Sequence, residues 1–312
     1  MTVISADVFQ LGAVRETGAP PVTPSNPAFM LARLSSESLN FQPTTIISPE
    51  LDPSGQVRDS ILTGARTTGA IEMPVSRHPF FDDALAAVLR GTWSAHVLKV
   101  GSTLALYTLE KRFTNPAGGF IYHRVNGAAV ASASISISPG REITASVNYS
   151  GGTMDFVESA IAGSTYPDPG TRPLFAAPEV SEITVAGSTN ALCFSDLSME
   201  FNSNVRGIEC IGTLGFKEQV LGRFEATIRG TAYFVSNDLL DYLVNQNEFA
   251  ATITIDDSQG NKYDFDFPRC RMTSGGAVAG GTNQDVVSNI AMQALYDPVT
   301  QTTVTITRTQ VA

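Results

Sequence analysis

Ser38-Leu39-Asn40-Phe41 returns in the second half of the chain as Ser198-Met199-Glu200-Phe201, and each copy opens the same plan. A helix signal falls about forty residues after each opener: Phe81-Asp82-Asp83-Ala84-Leu85 in the first case, Asn237-Asp238-Leu239-Leu240-Asp241 in the second. Strand patterns and a long polar excursion precede each helix, and further strands follow it. A duplication at this period is a pair of domains. Two similar β-rich domains on one chain can build a ring with twice the symmetry of its subunit count.

The 312 residues suffice for two cores of roughly 150 residues, each able to bury about 70% of its unfolded surface. Neither half needs a disulfide or a metal to stay folded. Cys193, Cys210 and Cys270 are odd in number and lie in the second half, so they read as buried or half-buried free thiols of a chain matured in a reducing compartment. Charged residues make up 16% of the chain, against an average of about 25%. Low charge with abundant Gly, Ser and Thr suits extended strands and large protein contacts. The net charge of −10 argues against general attachment to DNA or RNA by phosphate neutralisation. Met1 to Gln10 has no basic n-region, and no apolar run approaches the roughly 20 residues that span a bilayer, so a soluble chain without a secretion signal is expected.

Along the chain, residues 1–34 read as an arm, because Gly18-Ala19-Pro20-Pro21-Val22-Thr23-Pro24-Ser25-Asn26-Pro27 carries too much proline for a helix or central strand. The first domain is expected over 35–164, a linker over 165–190 and the second domain over 191–312. Within the first domain the spacing of Phe81, Leu85, Val88 and Leu89 predicts an amphipathic helix started by Pro79 and ended by Gly91. Leu104 to Phe113 and Gly119 to Val125 form a hairpin around Asn115-Pro116-Ala117-Gly118. Ser132 to Ser138 and Ile143 to Tyr149 alternate strictly, giving a half-buried hairpin with a Ser/Thr/Asn face toward water. In the second domain Arg223 to Phe234 alternates in the same way, Ser236 is expected to cap the helix, and Asp285 to Tyr296 and Thr302 to Arg308 close the fold.

Chemistry is scarce. Asp256-Asp257-Ser258-Gln259-Gly260-Asn261 lacks the alternate carboxylates and terminal Glu of a calcium loop and reads as a solvated turn. Gly275-Gly276-Ala277-Val278-Ala279-Gly280-Gly281 has no Lys-Ser/Thr after it and follows no strand-to-helix junction, so it reads as a mobile or interface loop rather than a phosphate cradle. His78, His96 and His123 have no ligand-like spacing. Asp82 and Asp83 sit in a first helical turn, where acids complement the dipole; that account outweighs paired-carboxylate catalysis. No catalytic, cofactor or metal site is expected.

Leu221-Gly222-Arg223-Phe224-Glu225, Gly230-Thr231, Asp238-Leu239, Asp257 to Asn261, Phe267-Pro268-Arg269, Asn283-Gln284-Asp285-Val286 and Gln293 to Pro298 together resemble the major tail tube protein of long-tailed bacteriophages with non-contractile tails. Arg33-Leu34 with Glu37-Ser38-Leu39, Gln56-Val57-Arg58-Asp59 and Ser136-Ile137-Ser138-Pro139-Gly140 add to the resemblance in the first half, so it covers essentially the whole chain. The resemblance implies a mainly β fold: two tail-tube-type β-sandwich or barrel domains, each with a short flanking helix, giving strands to a β-barrel shared among chains. It implies a homotrimer imitating a hexameric ring, rings stacked into a tube, and contacts with the tape-measure, tail terminator and distal tail proteins. DNA would pass through the lumen without specific binding, in a virion tail assembled in the bacterial cytoplasm. The excursions Ile46 to Ile61 and Asn204 to Leu221 would reach the adjacent ring, through Ser48, Pro49, Glu50, Leu51, Asp52 and Pro53 and through Arg206, Glu209, Phe216 and Lys217. Thr68, Glu72, Ser134, Ser136, Thr144, Ser146, Glu225, Thr227, Asp285 and Ser288 are candidates for the lumen face. A virion β-sandwich for receptor binding or capsid decoration, and the tube protein of a contractile tail, are the alternatives.

Overall fold

A computed structural model describes residues 4–18, 22–189 and 192–310; Met1 to Val3 and Ala19 to Pro21 of the expected arm lie outside the described residues. The first half runs β1 (Gln10–Arg15), β2 (Asn40–Ile47), β3 (Ser60–Pro74), α1 (Pro79–Val88), β4 (Leu106–Thr114), β5 (Phe120–Ile137), β6 (Thr144–Gly151) and β7 (Met154–Val157). The second runs β8 (Phe175–Val185), β9 (Phe194–Asn202), β10 (Glu225–Tyr233), α2 (Asp238–Asn245), β11 (Phe249–Asp257), β12 (Lys262–Ser274), β13 (Ala277–Ala279), β14 (Val286–Ala294) and β15 (Thr305–Thr309). Shorter strands lie between them. The fold is mainly β with few short helices, and no helix among the described residues is long and apolar enough to cross a membrane.

Two antiparallel layers build each half. In the first, β2–β3–β6–β5 forms one layer and β1–β4–β5–β7 the other. The same orders, β9–β10–β14–β12 and β8–β11–β12–β15, recur in the second. Long β5 and β12 belong to both layers of their half, bending between them at register shifts. Alternation decides which face is buried. Ala133, Ile135, Val147 and Tyr149 point inward, while Ser132, Ser134, Ser146 and Asn148 remain partly exposed on the opposite face. In the second half Phe201 stacks on Phe265 and Phe267 with centroids 6.2 and 6.3 Å apart.

Two strands escaped the proline-based reading. β1, inside the expected arm, pairs along its length with β4, because Leu11 and Ala13 find the core before the prolines begin. β8, inside the expected linker, pairs with β11 through two register shifts that absorb its irregular start. The glycine-rich stretch also contains a strand, since β13 pairs with β14. Cys270 is buried, Cys210 half-buried and Cys193 exposed.

Helix α1 starts as its sequence predicts, with Pro79 in the first turn and the Nδ1 of His78 accepting the Phe80 N–H at 3.2 Å. Its end differs. Arg90, not Gly91, takes the left-handed conformation, at φ 57°. That costs a non-glycine residue about 1 kcal/mol, offset by a hydrogen bond from its guanidinium to the Ser203 carbonyl at 2.6 Å. In the second helix the cap position falls on Asn237 rather than Ser236.

The halves meet along a seam. β5 pairs with β9, Leu197 opposite Ile137 and Phe201 opposite Ala133, so the two polar-faced layers become one sheet. Beneath it α1 reaches the second half. The Asp82 carboxylate accepts from Tyr263 at 2.7 Å and from Arg308 at 2.9 Å, and also pairs with Arg77. The Ser203 hydroxyl donates to the Val88 carbonyl at 2.6 Å. Burial of the phenol and the nearby Asp82 charge hold Tyr263 well above the usual tyrosine range, so it stays a donor at any working pH. Asp82→Ala leaves two arginines without their carboxylate in a largely dry site and should cost about 3–5 kcal/mol. Urea unfolding measures this; a loss of under about 1 kcal/mol, the worth of a surface pair, would contradict it.

Candidate assembly site

The candidate site is a surface rather than a pocket. The polar face of the continuous sheet presents Thr68 and Glu72 on β3, Thr144 and Ser146 on β6, Ser134 and Ser136 on β5, and Glu225 and Thr227 on β10, all half-buried or exposed. Neighbouring strands are tied across this face by side chains. Ser146 donates to Glu72 at 2.7 Å, Asn148 to Ser132 at 3.1 Å and Thr227 to Gln293 at 3.2 Å. Among the charges exposed there are Glu200, Arg66 and Arg229, and no lysine lies on β2, β3, β6, β9, β10 or β14. Glu225 titrates below the usual carboxylate range, chiefly because Arg223 donates to it.

Two of the expected lumen residues lie elsewhere. Ser288 is 7% exposed on the opposite, buried face, and Asp285 lies exposed in the irregular chain just before β14. The strand begins at Val286, so Val287, Asn289, Ala291 and Gln293 share the polar face and Ser288 aligns with Ile290 and Met292.

Both ends of this sheet have a free edge. Among the described residues, β2 pairs with β3 alone, and the Ser274 to Ala279 side pairs with β14 alone along its length. Exposed large apolar residues gather near these ends. Ile46, Ile47, Ile61 and Leu62 flank the β2–β3 connection; Tyr233, Val235, Val244, Val278 and Val286 surround α2 and β13.

The two excursions take different courses. Pro49, Glu50, Leu51 and Pro53 are exposed, Leu51 completely, while Ser48 and Asp52 are half-buried, the latter pairing with Arg58 and accepting from the Ser54 N–H at 2.7 Å. The second excursion folds into a small hairpin, Arg206–Glu209 with Phe216–Val220. It rests on the first half: Gln219 is buried and donates to the carbonyls of Gly127 and, at 3.1 Å, Ser150. Phe216 is half-buried there, whereas Arg206, Glu209 and Lys217 are exposed.

Among the described residues, no three His, Cys, Asp or Glu side chains gather in a metal-binding group. Asp83, read with Asp82 as a dipole partner, pairs with Arg15 at 2.7 Å and accepts from Tyr107 at 2.7 Å.

A search of solved structures finds a chain in the cryo-EM structure of the anti-feeding prophage baseplate, 6-fold symmetrised, at 9% identity and a TM-score of 0.34; the match covers 50% of this chain and 97% of that one. No curated protein matches in sequence. The model of one family, described as phage tail tube protein, matches residues 9–294. The chain therefore belongs to the phage tail tube protein family.

Proposed function

We propose that three copies of this chain close a ring whose inner wall is one β-barrel, and that the rings stack into the tube through which the tape-measure protein and then the genome pass. Membership of the family makes the chain a structural, non-enzymatic component of the phage tail. The observation that carries the finer reading is the continuous sheet with two free edges. Four strands from each half give eight per chain, and closure into a ring is the arrangement that removes exposed edges altogether. Two like strand orders in one chain supply two successive positions, so three copies fill six. The division into a first tube domain over 35–164 and a second over 191–312 belongs to this proposal, with β1 and β8 added at their front ends. Tail terminator and distal tail proteins would cap the tube's two ends.

A Ser/Thr/Asn lining of mixed charge, with Glu72, Glu200 and Glu225 against Arg66 and Arg229, suits passage of a polyanion because its basic residues are few. Released counterions would hold DNA in a basic lumen, whereas this face offers no such array. Ser134→Arg with Ser136→Arg should slow DNA ejection at low salt and recover at high salt. An ejection rate unchanged at every salt concentration would argue against a lumen position for these serines.

Purified protein should form hollow filaments of three-fold, near six-fold, cross-section under negative stain. Deleting Pro49 to Gly55, exposed in the single chain apart from Asp52, should leave a subunit with the parent's circular dichroism that fails to polymerise. Closed trimers that never elongate would favour a decoration or receptor-binding role instead.

A further inference from the structure

The seam inside the chain has three parts, and each has an uncovered counterpart at the free ends of the sheet. Strand pairing superposes the halves residue by residue. Phe41 stands opposite Thr67 and Thr67 opposite Gly151, just as Phe201 stands opposite Ala226 and Ala226 opposite Ala294. Further along, Ala129 beside Ser150 corresponds to Arg271 beside Gln293, and Ile135 beside Ala145 to Ala277 beside Ser288. Ser274 to Ala279 therefore repeats Ser132 to Ile137, the stretch of β5 that pairs with β9 in the seam. On the other side β2 repeats β9.

The helices form the second part. α1 is buried almost all round, because the second half covers its outer side: Phe81 meets Tyr263 edge-on at 5.6 Å and Asp82 binds the Tyr263 hydroxyl. α2 occupies the same place in its half, yet Asp241 is exposed and Val244 is 78% exposed. Val244 belongs with exposed Tyr233, Val235, Val278 and Val286 to an apolar patch, and a patch, unlike a lone exposed residue, marks a contact surface. By strand pairing, Tyr263 opposite Ile255 corresponds to Ile121 opposite Phe113. Tyr263 and Ile255 are fully buried, whereas Ile121 and Phe113 line an open cleft of about 570 Å³ together with Phe9, Leu34 and His123.

The third part is the hairpin on Gly127 and Gly152. Their counterparts are Arg269 and Leu295, joined by a hydrogen bond from the Leu295 N–H to the Arg269 carbonyl at 2.8 Å, and Arg269 lines an open groove with Phe249, Pro268 and Asp297. The segment corresponding to that hairpin is the Ser48 to Asp59 loop, largely exposed, in which Leu51 is completely exposed and Val57 mostly so.

We infer that the contact between two copies repeats the contact between the two halves: β2 of one copy pairs antiparallel with β12–β13 of the next, Gln42 opposite Ser274 and Asn40 opposite Gly276, and α2 of that second copy fills the Phe113–Ile121 cleft. The Ser48 to Asp59 loop of the first copy then seats in the Arg269 groove of the second. The inference rests on the ring reading and adds to it a register and two seats. Position 43 fits this arrangement. In the inner seam the next residue after the paired stretch, Ser203, donates its N–H to the Ala131 carbonyl at 2.9 Å. Its counterpart is Pro43, which has no N–H to give, so pairing stops at Gln42; a proline on a free edge also discourages wrong partners.

Cysteine pairs test the register in a Cys193→Ser, Cys210→Ser background. Directly opposite residues have Cβ atoms about 4.5–5.5 Å apart, so filaments of Gln42→Cys, Ser274→Cys protein should cross-link into chain multimers on mild oxidation. Gln42→Cys with Val278→Cys is displaced by four residues, about 13 Å, and should give at least about tenfold less product. Filaments in which the displaced pair links as well, or neither pair links, would overturn the register while leaving the tube reading intact; absence of filaments from the unmodified chain would instead sink the tube reading. For the helix seat, Val244→Glu should abolish filaments with the thermal midpoint unchanged. Filaments formed by that variant at the parent's concentration would overturn the seat.

Discussion

An open β-sheet must dispose of two edges, and this requirement governs the molecule. Inside the chain one pair of edges is already joined where β5 meets β9, which turns two four-stranded layers into one sheet. The edges left at β2 and at Ser274 to Ala279 carry unpaired backbone groups beside clusters of exposed Ile, Leu and Val. Such an edge costs little in water, yet it invites association wherever a partner of matching register exists. On the proposed account the partner is another copy, and ring closure limits the association.

The joined seam and the open ends differ chemically as well as in cover. Between the halves, Asp82, Arg77, Arg308 and Tyr263 form a buried ionic cluster with few arrangements that satisfy every member. At the positions that would face α2 of another copy stand Ile121 and Phe113. An ionic cluster fixes one geometry within a chain that never separates, whereas the cleft at the open end is lined mainly by apolar side chains, with Glu37 and His123 among them.

Much of the fold was legible because β-sheets advertise their buried face every second residue. Ser132 to Ser138, Ile143 to Tyr149 and Arg223 to Phe234 alternate cleanly, and their strands lie where alternation put them. The recurrence of Ser38-Leu39-Asn40-Phe41 in Ser198 to Phe201 likewise marks equivalent strands, Asn40 opposite Thr68 and Glu200 opposite Thr227. What escaped was set by distant partners. β1 and β8 are stabilised by β4 and β11, and nearby prolines disguised both. Ala277 to Ala279 is short and glycine-flanked, so only its pairing with β14 identifies it as a strand. A serine in an alternating strand looks solvent-bound, yet Ile290 and Met292 fix the strand's phase and turn Ser288 to the buried face. Asp82 resembled an ordinary helix-start acid, since its partners Tyr263 and Arg308 lie in the other half of the chain.

A cryo-EM reconstruction of the assembled protein tests the central claim most directly. The account predicts a hollow wall in which every strand of the polar-faced sheet has a neighbour on both sides, β2 of each chain lying against β13 of the next. A reconstruction with the β2 edge open to solvent, or with no channel bounded by the polar face, would contradict it.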